Sequence, residues 1–274
     1  MTPPLRRRLF TLCADDFGQS ASINEAIVEL VRRDRLGAVS VMSQGPAWPQ
    51  GAAQLNEGRD TADIGLHLNL THPFPGAPSV RPLGWWLLAT ALGRVRRDAV
   101  RAAFQSQIDA FVEHAGRLPD YLDGHQHVHA FPVIREVLTE VIANNWQGQP
   151  LPWVRAPDCL VDDGGVPLKA AILRGATRGF AAHLQRAGLR HPPRFGGLYA
   201  LAADANFSSL MRRWLHDLPA GTVLMVHPGK QGADTGDPIG AARVAEYDYL
   251  SSDAFEQDAQ SADAGFVRFP ALPA

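Results

Sequence analysis

Short apolar runs alternate along the chain with stretches of helical periodicity, and this alternation restricts the fold more than any other sequence feature. The runs are brief and rich in Val, Ile, Leu and Phe, which suits strands buried in a parallel sheet. Repeated strand–helix–strand units are typical of α/β proteins. Strands are predicted at residues 9–14, 38–42, 64–70, 121–123, 153–156, 195–201 and 222–226.

Helices are predicted between these strands. Ser22 and Glu25 have the spacing of a capping box, and apolar residues at helical intervals follow. Further helices are predicted at 100–114, 133–142 and 252–262, the last leading into an apolar run at 267–269. About seven strands alternating with helices predict a closed or nearly closed β/α barrel, TIM-like but distorted, with a doubly wound open sheet as the alternative.

The chain is expected to form one α/β domain over residues 1–274, because no Pro/Gly/Ser-rich linker divides it. Two segments, 72–83 and 158–166, exceed the usual loop length, and in a barrel such segments tend to cover the active face. Whether residues 72–98 form a lid stays open.

Composition excludes several classes of protein. The formal net charge is -2, from 26 basic and 28 acidic residues, so no strong field would attract nucleic acid or an anionic membrane. Cys13 and Cys159 lie outside any CxxC pattern, which argues against a disulfide framework or a cysteine-bound zinc. The first apolar run reaches Asp15 after six residues, too short for a signal peptide, and no segment is long enough to span a membrane. We therefore expect a cytoplasmic protein.

Chemically versatile side chains cluster at the C-terminal ends of the predicted strands. Because these ends meet on one face of a β/α barrel, residues far apart in sequence would share one site. The candidates are Asp15 and Asp16 after the first strand, His67 late in the third, Asp123, His125, His127 and His129 around the end of the fourth, and His227 after the seventh.

These residue types suit a divalent metal. Imidazole and carboxylate ligands bind zinc, manganese, iron or cobalt, whereas magnesium normally prefers more oxygen. An Asp-His-His set leaves positions open for water and substrate, as hydrolytic sites require. Adjacent aspartates allow one carboxylate to bind the metal and its neighbour to act as a base. Each signal alone has a structural explanation, such as a helix cap, a core histidine or a turn, but their joint placement favours a metal site.

Weaker features have two interpretations each. Trp85 and Trp86 would form a stacking platform for a sugar ring, or pack as half-buried residues. Arg155 would orient Asp15 or the substrate, or form a structural ion pair. The histidines in polar or helical contexts are interpreted as surface residues, namely His72, His114, His183, His191 and His216.

Four segments together resemble the motifs of the YdjC-like (ChbG-type) carbohydrate deacetylases. The match runs in order from about Leu9 to Phe269, and is loose over residues 72–95 and 158–206. The segments are Ala14-Asp15-Asp16-Phe17-Gly18, Gly65-Leu66-His67-Leu68-Asn69-Leu70-Thr71, Leu122-Asp123-Gly124-His125-Gln126-His127-Val128-His129 and His227-Pro228-Gly229.

The resemblance implies a barrel-like fold, one divalent metal ion (magnesium or zinc) and an N-acetylated sugar as substrate, with N-acetylglucosamine units of chitin-derived oligosaccharides as the known case. It implies that Asp16, His67 and His125 bind the metal, that Asp15 is the general base and that His227 is the general acid. His127 or His129 would orient a ligand. Gly124 departs from the family pattern, in which serine is common, and this leaves the substrate open.

Three alternatives remain at this stage. A phosphoesterase, or an amidohydrolase acting on small amides, could use a similar barrel, but a phosphoesterase would need more carboxylates. A sugar-binding protein without turnover would not need a free base. Relatives also occur in hopanoid lipid pathways, so a lipid-linked substrate is the third alternative. The oligomeric state, monomer or homodimer, is not determined by the sequence.

Overall fold

The computed structural model describes residues 7–57, 60–75, 80–232 and 236–269. Parallel strands form the centre, with helices around them. The strands are β1 (Arg8–Phe17), β2 (Ala38–Val41), β3 (Asp63–Leu68), β4 (Tyr121–Gly124), β5 (Trp153–Val154), β6 (Arg194–Gly196), β7 (Thr222–Val226) and β8 (Ala264–Phe266). The helices are α1 (Ala21–Arg32), α2 (Trp48–Glu57), α3 (Leu83–Ala91), α4 (Arg97–Ala115), α5 (Ile134–Asn145), α6 (Pro167–Thr177), α7 (Phe180–Arg186), α8 (Phe207–Asp217), α9 (Gly240–Leu250) and α10 (Asp253–Ser261).

Seven strands pair in the order β5-β4-β3-β2-β1-β7-β6, and every pairing is parallel. β8 pairs with the first residues of β1. The two ends of this path approach each other where Leu160, after β5, forms an isolated bridge to Phe195 in β6. The α/β class and a curled, barrel-like seven-stranded sheet are thus confirmed. The sheet is not a strictly closed TIM barrel, because within the described residues β5 does not pair with β6 and the gap is spanned only by the bridge at Leu160. The single-domain assignment stays a prediction.

The central strands explain why the sequence alternates as it does. Every residue of β2, β3 and β7 is buried, so both faces of these strands require apolar or fully paired side chains. Most of the helices that cover the outside pack one apolar face against the sheet. Among the described residues, no helix has both the length and the apolar character that crossing a membrane requires.

Local boundaries differ from the sequence predictions in identifiable ways. α1 begins after Ser20, whose extended backbone and side-chain bond to Ile23 N–H make it the N-cap, so the assignment of that role to Ser22 was wrong. The sixth strand ends at Gly196 instead of residue 201. Gly197 turns the chain with a φ of 92°, and a Cβ there would lie 2.3 Å from Met225 O. The last apolar run lies just after β8, not within it.

Candidate metal centre

Asp15 and Asp16 lie where the regular geometry of β1 is interrupted. The pairing of β1 with β2 shifts register between Ala14 and Phe17, and Asp16 takes a left-handed φ of 71°. Successive side chains of a regular strand point to opposite faces, but a bulge re-aims one of them. Both aspartates therefore line the same cavity. Such strained backbone is found mainly at functional sites.

Three side chains converge beside this bulge. His67 comes from β3, and His125 follows β4 directly. One ligand atom each from Asp16, His67 and His125 lies within 4.8 Å of the others. His125 Nδ1 is 3.0 Å and His67 Nε2 is 3.5 Å from Asp16 Oδ1. One carboxylate oxygen and two imidazole nitrogens are the donor set of hydrolytic metal sites that keep a position open, so these residues could hold a divalent ion.

Asp123 in β4 holds His67 from the side opposite Asp16. Its Oδ1 lies 2.6 Å from His67 Nδ1, which leaves Nε2 directed toward Asp16. The Ser40 hydroxyl donates to the other oxygen of Asp123 over 2.6 Å. A carboxylate on the distal nitrogen of a ligating histidine fixes its tautomer and ring orientation.

Arg155 joins the two carboxylates that do not belong to the triad. Its guanidinium is completely buried and donates to both oxygens of Asp15, each over 2.8 Å. It also lies 2.9 Å from Asp123 Oδ2. Burial alone would lower the pKa of Arg155, but Asp123 and Asp15 raise it well above its usual value. The guanidinium therefore stays charged and fixes the orientation of Asp15.

Cys13, Asp15 and Asp123 also lie close enough together to resemble a ligand set. Arg155 already occupies both carboxylates, however, and a cation placed there would be repelled by its charge. Burial raises the pKa of the Cys13 thiol, so the thiol stays protonated. This group therefore does not suit a metal ion, and it supports the triad from behind.

His227, directly after β7, faces Asp15 on one side and Glu246 of α9 on the other. Its Nε2 is 3.9 Å from Asp15 Oδ2, and its Nδ1 is 3.8 Å from Glu246 Oε1. Glu246 is fully buried and accepts the backbone N–H of His227 and, over 2.5 Å, the hydroxyl of Tyr199. Glu246 thereby determines where His227 lies.

Arg243 of α9 holds the outer oxygen of Asp16. Its Nη2 donates to Asp16 Oδ2 over 2.7 Å, and its Nε donates to Asp237 over 2.6 Å. Burial raises the pKa of the Asp16 carboxyl, but Arg243 and His125 outweigh burial and hold this pKa well below its usual value. Asp16 is thus ionised even before any cation is considered.

The other two histidines of the His-rich segment have different surroundings. His127 lines the cavity with a ring packed edge-on against Phe195, and its Nδ1 has no hydrogen-bond partner among the described residues. His129 lies behind the site, where Nε2 is 2.8 Å from Arg155 O. Burial lowers the pKa of His129 to about 4, so its ring is neutral and donates to that carbonyl. A Cβ at Gly124 would lie 2.8 Å from His129 Nδ1, so the glycine leaves room for this ring.

Trp85 and Trp86 do not lie in the cavity. Trp86 is buried with Nε1 donating to Leu70 O over 2.9 Å, and Trp85 is 43% exposed. The cavity face of α3 carries Leu83 and Leu87, one helical turn apart. The sugar-platform interpretation is corrected accordingly, since helical periodicity directs the two indoles away from the cavity.

Several site residues were missed by sequence reasoning. His72, interpreted as a surface residue, lines the cavity with its ring centroid 5.8 Å from that of His125, and burial lowers its pKa. It follows the end of a strand, which is the signal that identified the other histidines. Arg243 and Glu246 share one buried face of a helix that was not predicted, so their spacing gave no signal.

A cavity of about 870 Å³ is lined in part by polar side chains of the site, namely Asp15, Asp16, His67, His72, His125, His127, His227 and Arg243. Apolar residues of α3 and α6, among them Leu87, Leu168 and Ile172, form another part of its lining, which we call the α3–α6 wall. The volume is within the range of ligand sites, and it exceeds what the triad itself needs.

Comparison with known proteins identifies relatives over most of the chain. Residues 9–261 match the family described as YdjC-like protein. A carbohydrate deacetylase of Mus musculus is 31% identical over 79% of this chain and 76% of its own length. A chitooligosaccharide deacetylase of Serratia marcescens is 35% identical over 53% of this chain and 58% of its own length. A crystal structure of a candidate cellobiose-phosphate cleavage protein from Enterococcus faecalis V583 superposes with a TM-score of 0.72 at 16% identity, covering 96% of this chain and 98% of that one, which shows a shared fold.

Proposed function

The chain belongs to the YdjC-like family, and from this premise we propose that it is a metal-dependent deacetylase of N-acetylated sugars such as chitin-derived oligosaccharides. The observation that carries the proposal is the Asp16-His67-His125 triad beside a second carboxylate, Asp15, at the C-terminal ends of the strands. The names of the relatives, carbohydrate deacetylase and chitooligosaccharide deacetylase, support the reaction.

The chemistry of the donor set supports a bound metal. Two imidazoles and one carboxylate favour zinc over magnesium, which prefers oxygen ligands. A divalent cation held by Asp16, His67 and His125 would supply Lewis acidity toward the acetyl carbonyl and toward water. Asp123 and Arg243 would keep His67 and Asp16 in position to receive it.

Asp15 is proposed as the general base. Both of its oxygens are held by Arg155, and Oδ2 is 3.8 Å from His67 Nε2. A carboxylate fixed beside the triad can accept the proton of the attacking water without reorienting. Arg155 acts here as a positioning residue, because it touches Asp15 and not the reacting atoms.

His227 is proposed as the general acid. An amine leaves poorly from a tetrahedral intermediate unless it receives a proton, and an imidazole can carry one near neutral pH. His227 faces the cavity, close to Asp15. Its backbone N–H donates to Glu246, which also accepts the hydroxyl of Tyr199. The two proton-transferring groups thus come from neighbouring strands, β1 and β7.

The test is acetate release from N,N′-diacetylchitobiose by the purified protein, with zinc or magnesium added and again after chelation. We expect release that depends on metal. Asp15→Asn should lower turnover at least about a hundredfold while the bound metal is retained. His125→Ala should lose both metal and turnover.

His114→Ala is the matched control, because His114 is an exposed histidine on α4, outside the cavity. It should keep metal content and turnover unchanged. Near-normal turnover in Asp15→Asn would exclude Asp15 as the base. Acetate release that persists in protein stripped of metal would exclude metal dependence. A cytoplasmic location and the oligomeric state stay predictions.

A further inference from the structure

His127 lines the cavity but does not belong to the group formed by Asp16, His67 and His125. Its ring packs edge-on against Phe195 of β6, with the two ring centroids 5.4 Å apart. Phe195 belongs to a buried apolar cluster, which also contains the cavity-lining residues Leu173, Leu198 and Met225. His127 therefore presents an imidazole beside apolar lining, and a few polar groups placed in this way determine how a ligand lies in a site.

The two ring nitrogens of His127 differ in access. Nδ1 is buried and has no hydrogen-bond partner among the described residues. Nε2 is not enclosed in this way, and since the ring lines the cavity, Nε2 is the nitrogen that faces it. A proton on Nδ1 would be a buried donor without a partner, which is rare in proteins, so the proton belongs on Nε2. His127 thus directs an N–H donor into the cavity.

The backbone that holds this ring is strained. Gln126 and His127 have left-handed φ values of 53° and 61°. Residues other than glycine seldom adopt this conformation, and two in succession are still less common. Such strain persists where the surrounding structure imposes it, and it concentrates at active sites and ligand-binding segments. One short strained segment thus places His125 at the triad and His127 at the apolar cluster.

The neighbouring His129 shows what a structural histidine of this segment looks like. Its Nε2 is 2.8 Å from Arg155 O, behind the site, and this contact fixes the ring within the protein. His127 makes no comparable contact among the described residues, although it is only 8% exposed. A fixed donor that the protein itself does not use is available to a ligand of the cavity.

We propose that His127 binds the substrate by donating its Nε2–H to an oxygen atom of the bound sugar. This inference rests on the proposed function and names a specificity-determining residue of the same site. A sugar that places an oxygen at Nε2 satisfies the donor, whereas a ligand without one leaves the donor unpaired, and a site built for a hydrogen bond rejects such a ligand. Because His127 is separate from the triad, the bond forms when the substrate binds and persists in the transition state.

The test is the rate of acetate release from N,N′-diacetylchitobiose by the metal-loaded protein, over a range of substrate concentrations. His127→Phe keeps an aromatic ring against Phe195 and removes the donor. It should raise KM about 3–10-fold, the value of one hydrogen bond, and leave kcat within about twofold. His127→Gln keeps a neutral N–H donor and should restore part of the lost affinity. Zinc content should be the same in all three proteins, since His127 does not belong to the triad.

His114→Phe is the matched control, because His114 is exposed on α4, outside the cavity. It should leave KM and kcat unchanged. The inference would be overturned by an unchanged KM in His127→Phe, or by a rise in KM that occurs only with a loss of zinc. Equal KM values in His127→Phe and His127→Gln would also overturn it, because ring shape and not the N–H would then be responsible.

If the native protein releases no acetate, the proposed function fails, and binding decides the inference alone. Isothermal titration calorimetry with N,N′-diacetylchitobiose and the metal-loaded protein should then show binding that is about 3–10-fold tighter in the native protein than in His127→Phe. Equal affinities, or no binding by the native protein, would overturn the inference.

Discussion

The triad side of the cavity and the α3–α6 wall are stabilised by different interactions. On the triad side, Asp16 is held by His125 and Arg243, and His67 is held by Asp123. On the wall, Leu168 and Ile172 are half to three-quarters exposed and make no directional contacts. On the triad side, hydrogen bonds and ion pairs fix the functional groups. On the wall, only the helix backbone determines where the side chains lie.

This difference predicts that the two parts of the cavity respond differently to substitution. A change on the triad side disturbs a network in which Asp15, Asp123 and Arg155 share charges inside the protein. A change on the wall alters only the shape and polarity of a surface. Substitutions on the wall should therefore cost little stability, and substitutions around the triad should cost more.

The largest effect is expected for Arg155→Met. This substitution leaves the buried carboxylates of Asp15 and Asp123 without their cation, and breaking a buried pair costs about 3–5 kcal/mol of the free energy of unfolding. The control is Arg97→Met, whose ion pairs with Glu136 and Glu140 are partly exposed and should be worth about 1 kcal/mol or less. Urea denaturation of both variants makes the comparison. Equal costs would mean that buried charge does not stabilise the triad side.

The second-largest effect is expected for Asp123→Asn, which should weaken metal binding. With the carboxylate on His67 Nδ1 replaced by a neutral amide, metal affinity should fall about 10–100-fold, as for other partners of ligating histidines. Asp63→Asn is the control, because Asp63 is an equally buried carboxylate at the opposite end of the sheet, bound to Trp153 and Arg268. Titration calorimetry with zinc should separate the two. An unchanged zinc affinity in Asp123→Asn would exclude this supporting role.

His129 should make stability depend on pH. Because its pKa is about 4 in the folded protein, against 6.5 in an unfolded chain, only the unfolded chain takes up a proton as the pH falls from 6.5 toward 4. The contribution of His129 is complete above 6.5 and declines below it, by about 2 kcal/mol at pH 5. His129→Gln keeps a donor for Arg155 O. Between pH 7 and pH 5, the free energy of unfolding of this variant should fall less than that of the native protein. Identical losses in the two proteins would contradict a buried neutral ring.

The smallest effect is expected on the wall. Leu168 is 75% exposed, so Leu168→Ser should change the free energy of unfolding by about 0.5 kcal/mol or less and leave zinc affinity unchanged. The same denaturation and titration experiments apply. A loss comparable to that of Arg155→Met would show that the wall is part of the folding core and not a free surface.

The sequence predicted most of the strands because each lies in a buried apolar run bounded by polar residues, as at Thr222–Val226. Placing functional groups at strand ends brought the right chain segments together, since His67, His125 and His227 do line one cavity. The site features that the sequence did not predict depend on contacts between distant segments of the chain. Arg243 meets Asp16 across 227 positions of sequence, and a bulge, not the strand itself, directs both aspartates inward.

The helices were predicted less well for a related reason. α3 is apolar nearly all round, with the sequence LGWWLLATA, so it shows no amphipathic period from which its buried face could be predicted. The directions of Trp85 and Trp86 therefore followed only from the structure.

The pairing of β1 with late strands affects how the protein folds during synthesis. Arg8–Phe10 pair with Ala264–Phe266, about 250 residues downstream, and Thr11–Ala14 pair with β7. At roughly 5–20 residues per second of synthesis, β1 waits roughly 10–50 s for its last neighbour to emerge from the ribosome. The end of β1 that carries Asp15 and Asp16 is an unfinished sheet edge until β7 has been made. We therefore expect metal to be acquired only after β7 has joined the sheet, and nascent β1 to be the segment that most needs protection by chaperones.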